Sequence, residues 1–134
     1  NHDSALKSME EAARIIRKGH SVMTFPEGTR SSDGTIQRFK QGTFHLAIQA
    51  GVPIVPITII GTSAVMPKRS LKITPGEIRV IIDKPIDVSG YTIETRQQLI
   101  DEVRNTIVGN YRKYQISAGI HPNGRRTDTS RIDP

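Results

Sequence analysis

The chain has 134 residues, of which 35% are apolar and 24% charged, with a formal net charge of +6 and no cysteine. That length suits one compact domain with its own core, the composition excludes a disordered polyelectrolyte, and the missing thiols exclude disulfide staples and thiolate metal sites. No apolar run is long enough to read as a transmembrane helix, and the positive charge favours an anionic partner: nucleic acid, an anionic membrane surface or a phosphorylated small molecule.

The chain opens on Asn1 with neither an initiator Met nor a signal-peptide pattern, and so reads as a piece of a longer protein. In "SALKSMEEAARIIRKGH" the residues Ala5, Met9, Ala12, Ala13 and Ile16 recur at helical spacing. Ser4 is the expected cap of that helix, Arg14, Arg17 and Lys18 suit its negative end, and Gly19 is its expected terminator. "SVMTF", residues 21–25, reads as a short strand stopped by Pro26, and the polar segment from Gly28 to Gly34 as a surface loop.

"KQGTFHLAIQA" predicts a second helix with Phe44, Ala47 and Ile48 facing inward and Gly51 ending it. "VPIVPITII" reads as a strand covered on both faces. Strand, loop, helix and strand then make a βαβ unit, which predicts an α/β fold with a mostly parallel sheet flanked by helices. In that arrangement the loop after "SVMTF" lies at the carboxyl edge of the sheet, where such folds bind ligands. A further strand is expected over Ile78 to Ile82, and a last helix over "TIETRQQLIDEVRNTIVGNYRKY" with Ile100, Val103, Ile107 and Tyr111 on one stripe. Residues 1–116 are read as one domain and 117–134 as a flexible basic tail without hydrophobic periodicity.

Chemistry concentrates in the loop. Arg30 offers a planar fork of donors suited to phosphate, and Gly28 lets the backbone approach a ligand closely. Glu27 is expected to orient Arg30 or to accept from a substrate hydroxyl. Lys40, at the start of the second helix, adds a point charge beside the free amides of its first turn. The alternative is a plain Glu27–Arg30 loop salt bridge, which contributes about 1 kcal/mol at most when exposed. Phe39 and Phe44 are expected in the core, and His45 in a packing role. Ser21 and Ser31 have no nucleophile elbow, and the histidines lack metal-ligand spacing.

"FPEGTRS", residues 25–31, followed by "RFKQGTFHLAIQAGVPIVPITI", resembles the PlsC-like family of glycerolipid acyltransferases, the 1-acylglycerol-3-phosphate acyltransferases. The likeness runs from about Ser4 to Tyr114, with the F-P-E-G-T-R-S block at Phe25 to Ser31 and the V-P-x-x-P block at Val52 to Pro56. It implies that Glu27, Gly28, Thr29 and Arg30 bind the glycerol phosphate of the acyl acceptor, with Lys40 matching a lysine of the family's F-K segment. Pro53 and Pro56 are then shape residues of the acyl-side wall. The family's catalytic H-x-x-x-x-D pair is not found: the fifth residue after His2 is Lys7, and none of His20, His45 or His121 has an Asp at that distance.

The resemblance implies the carboxyl-terminal part of an enzyme that moves an acyl group from acyl-CoA or acyl carrier protein to lysophosphatidate. No catalytic residue, metal or cofactor is expected within the chain, which by itself is expected to be inactive, and the acyl thioester is a co-substrate. Membrane association, on the cytoplasmic side, is expected through the amino-terminal part. The rival readings are a non-catalytic lipid-phosphate binding module and a small basic nucleic-acid binder. Scarce aromatics and missing recognition signatures count against the nucleic-acid reading.

Overall fold

The computed structural model describes residues 2–31, 34–66 and 71–117. Helix α1 spans His2–Arg17, α2 Gly42–Ala50, the short α3 Thr62–Val65 and α4 Arg96–Ser117, while strands β1 and β2 span Ile57–Ile60 and Arg79–Ile82. Ser4 falls inside α1, one turn too late to cap it. Gly19 does end it: at φ 90° it adopts the left-handed conformation, its N–H donates to Ile16 O, and the His20 N–H reaches back to Ile15 O. This pairing of two amides with two orphan carbonyls is a Schellman closure. Gly51 closes α2 in the same conformation at φ 66°. Most of the stretch read as a flexible tail lies outside the described residues, and α4 runs through Ser117.

The α/β class holds, but the parallel sheet does not. Among the described residues the sheet has two strands, β1 and β2, and they pair antiparallel, with Ile57 opposite Ile82 and Ile60 opposite Arg79. The "SVMTF" segment joins no ladder, and Val22, Met23 and Phe25 are exposed. Its β-branched and aromatic residues favour extended backbone, but a strand exists only where a neighbour takes its amides and carbonyls. The expected βαβ unit is therefore not formed by these residues. "VPIVPITII" shortens to β1 because Pro53 and Pro56 have no N–H to donate. Between them Ile54 forms one isolated bridge with Ile86.

Residues directly opposite in an antiparallel pair share a face. Thr58 and Ile60, with Ile81 and Arg79, turn toward α4. Asn110 donates to Thr58 Oγ1 at 3.2 Å and to Asp83 Oδ2 at 2.7 Å, and the Arg79 guanidinium sits 4.4 Å over the Tyr114 ring. The opposite face carries Ile57, Ile59, Val80 and Ile82, and the last two are 54% and 68% exposed. One face of the sheet is packed, while on the other Ile57 and Ile59 are half-buried and Val80 and Ile82 open, so β1 is only partly covered on its second side.

The main core lies where α2 meets α4. Phe39, Phe44, Ala47, Val88, Leu99, Ile100 and Val103 are buried together, with Ile36, Ile48 and Ile107 packed against them. Phe39 and Phe44 stack with ring centroids 6.3 Å apart. Both are structural, as expected. Burial of Leu99, Ile100 and Val103 fixes which face of α4 turns inward, and with it the direction in which Arg104 and Tyr111 project.

Candidate functional site

The loop begins as a β-turn. The Gly28 N–H donates to Phe25 O at 2.9 Å, with Pro26 at the position where its fixed φ is favoured and Gly28 closing the turn. Gly28 has φ 70°, a conformation costly to any residue carrying a Cβ. A second tie comes from Lys40, whose N–H donates to Pro26 O at 2.8 Å. These two bonds bring the loop against the start of α2.

Lys40 meets the loop through its side chain as well. A Cβ placed on Gly28 would lie 2.5 Å from Lys40 Nζ and 2.6 Å from its Cε. The lysine stem therefore crosses the Gly28 backbone where only hydrogen fits, so Gly28 admits the ammonium as well as any ligand. Gly28 and Lys40, expected at one site, are in contact.

Glu27 does something other than expected. Its carboxylate Oε2 accepts the Gln37 N–H at 2.8 Å, and among the described residues no ion pair joins it to Arg30. The plain loop salt bridge is therefore not formed, and Glu27 does not orient Arg30 by pairing with it: one carboxylate oxygen goes to backbone ten residues away, where it ties the outgoing limb of the loop to its return. Thr29 and Arg30 are exposed at the tip. No group among the described residues pairs with the Arg30 guanidinium, which leaves its fork of donors open to an anion.

The return limb is anchored by α4. Arg104 Nη2 donates to Ile36 O at 3.0 Å, with a longer contact of 3.5 Å from Nε to Gln37 O, and the Tyr111 hydroxyl donates to Gly34 O at 3.1 Å. Sequence reasoning named Tyr111 only as a stripe residue and passed over Arg104 and Gln37. Gln37 acts through its backbone and leaves no signature. Arg104 did leave one, a charge on the inward stripe between Ile100 and Ile107.

Arg96, at the start of α4, donates from Nε and Nη2 to Gln41 Oε1 at 3.1 and 3.0 Å, which steadies the residue after Lys40. Beside it an open crevice of about 310 Å³ is lined by Met9, Gln41, Gly42, His45, Ile93 and Arg96. None of Glu27, Gly28, Thr29, Arg30 or Lys40 lines it, so the candidate anion site is an open surface cradle and not that crevice. Among the described residues no group of three or more His, Asp or Glu side chains is placed to hold a metal ion. Nor is any helix there long and apolar enough to cross a membrane.

A family model described as Acyltransferase matches residues 1–60, the portion that contains the whole loop and Lys40. The crystal structure of the 1-acyl-sn-glycerophosphate (LPA) acyltransferase PlsC from Thermotoga maritima superposes with a TM-score of 0.73 at 31% identity, over 80% of this chain and 44% of that one. This chain belongs to the PlsC-like glycerolipid acyltransferase family. Other acyltransferases of the family agree. The chain is 45% identical over 105 residues to the chloroplastic 1-acyl-sn-glycerol-3-phosphate acyltransferase BAT2 of Brassica napus, covering 78% of this chain and 29% of the relative. It is 36% identical over 110 residues to the human 1-acyl-sn-glycerol-3-phosphate acyltransferase alpha, covering 81% and 39%. The chain thus spans less than half the length of these PlsC-like relatives.

Proposed function

We propose that this chain forms the acceptor side of a 1-acylglycerol-3-phosphate acyltransferase that moves an acyl group from acyl-CoA or acyl carrier protein to lysophosphatidate. The observation that carries this reading is the open Arg30 fork at the tip of a loop on which Gly28 and Lys40 are in contact. The Arg30 guanidinium takes two phosphate oxygens, Lys40 adds a point charge, and the Thr29 hydroxyl is free to donate a third bond. Glu27 shapes the loop through its Oε2 bond to the Gln37 N–H, and its other oxygen is the acceptor for a hydroxyl of the glycerol phosphate.

In the reaction the acceptor hydroxyl oxygen bonds to the thioester carbonyl carbon, the carbon–sulfur bond breaks, and the hydroxyl proton leaves with the thiol by way of a base. The family resemblance assigns that base to the histidine of H-x-x-x-x-D, which the 134 residues do not contain. What these residues contribute is position: a headgroup held at one end restricts where the distant hydroxyl can go, which raises its effective concentration at the thioester. The reaction needs no cofactor beyond the acyl thioester, and the enzyme works at the cytoplasmic face of a membrane, where both acceptor and product reside.

The test compares acceptors with and without the phosphate. The complete protein, given an acyl thioester, should convert lysophosphatidate to phosphatidate and use monoacylglycerol on the order of 100-fold less well or worse, because the unpaired cations are then left without their anion. Equal use of the two acceptors would overturn the phosphate assignment. Saturable binding of lysophosphatidate without product would favour the non-catalytic lipid-phosphate module.

A further inference from the structure

The Ile36–Gln37 peptide group is held at both of its ends. Its carbonyl accepts from Arg104 at 3.0 Å, and its N–H donates to Glu27 at 2.8 Å. A cation at the oxygen and an anion at the hydrogen both follow the sense of the peptide dipole, so each bond strengthens the other. Glu27 belongs to the loop and Arg104 to α4, so one peptide unit relays the position of a distant helix to the residue just before Gly28. Seven residues on, two turns along the same face of α4, Tyr111 holds Gly34 O on the limb that leads into that unit.

We propose that Arg104, seconded by Tyr111, is a positioning residue for acceptor recognition, which sets the reach of Gly28, Thr29 and Arg30 by bracing the loop's return limb. The inference rests on the function proposed above. Both residues lie beyond the matched 1–60 segment, so α4 becomes a working part of the acceptor site. Arg104 needs no contact with phosphate for this role, since its donors face the Ile36 and Gln37 carbonyls. Lysine at this position can satisfy one carbonyl but cannot span both.

The experiment measures KM for lysophosphatidate, KM for the acyl thioester, kcat and thermal midpoint in the complete acyltransferase carrying Arg104→Ala, Arg104→Lys or Tyr111→Phe, beside the parent and Arg30→Ala. Arg104→Ala should raise KM for lysophosphatidate roughly tenfold with KM for the thioester unchanged. Arg104→Lys should fall between it and the parent, and Tyr111→Phe should shift the same constant by a few-fold. A purely structural part for Arg104 would lower the thermal midpoint and the active fraction while leaving both KM values where they were, and that outcome overturns the inference, as does an equal rise in both. If Arg104→Ala does not fold, Arg104→Lys and Tyr111→Phe decide by the same criterion. An acceptor effect in Arg30→Ala without one in the Arg104 and Tyr111 variants sinks the brace alone, whereas a parent enzyme indifferent to lysophosphatidate sinks the function and the brace together.

Discussion

Arg30→Ala in the complete acyltransferase should cost about 2 to 3 kcal/mol of acceptor binding, read as a fall of roughly 30- to 150-fold in kcat/KM for lysophosphatidate. The size follows from what the proposed function would lose: two parallel charge-assisted bonds to phosphate from a guanidinium that no described residue occupies. KM for the acyl thioester should stay put, since the proposed function puts Arg30 at the headgroup end of the acceptor. Arg30→Lys should recover only part of the loss, because a single ammonium cannot reproduce a planar fork. Equal losses toward both substrates in steady-state kinetics would remove Arg30 from the acceptor site.

Gly28→Ala should be nearly as damaging, for two separable reasons. At φ 70° an alanine bears about 1–2 kcal/mol of backbone strain. Its Cβ would also fall 2.5 Å from Lys40 Nζ, and the lysine, being the flexible partner, would swing away and take its charge with it. Together these should lower kcat/KM for lysophosphatidate at least tenfold. A double-mutant cycle separates the two effects: in a Lys40→Ala background the clash is gone and only the strain remains, so the second substitution should cost less there than in the parent. Strict additivity would show that the contact between Gly28 and Lys40 plays no part in binding.

The helices were readable in the sequence because their signals are local. The glycines at 19 and 51 mark where α1 and α2 end, and the spacing of Phe44, Ala47 and Ile48 in α2 and of Ile100, Val103 and Ile107 in α4 gives their inward faces. Strand direction was not readable. The apolar run at residues 52–60 contains nothing that distinguishes a parallel neighbour from an antiparallel one, and the pairing of β1 with β2 joins segments far apart in the sequence.

The candidate site divides in the same way. Gly28, Arg30 and Lys40 announce themselves by residue type, and two of them touch. The clasp that Glu27 makes on the return limb depends on the backbone N–H of Gln37, a partner with no side-chain signature, so the sequence shows the carboxylate beside Arg30 and not this bond. Arg104 was legible only as an oddity, a cation where the α4 stripe calls for a hydrocarbon.

The open apolar residues of β2 bear on any binding measurement made with this chain. Val80 and Ile82 meet solvent with no charge between them on their side of the strand, and Met23 and Phe25 are exposed ahead of the loop. A surface of this kind gathers detergent, reporter dyes and other copies of itself by the hydrophobic effect alone. A lysolipid brings an acyl tail as well as a phosphate, so titrated onto these 134 residues by themselves it would adhere at the wrong place by the wrong end. A water-soluble glycerol phosphate, which has the headgroup and no tail, reports on the cationic cradle without that interference.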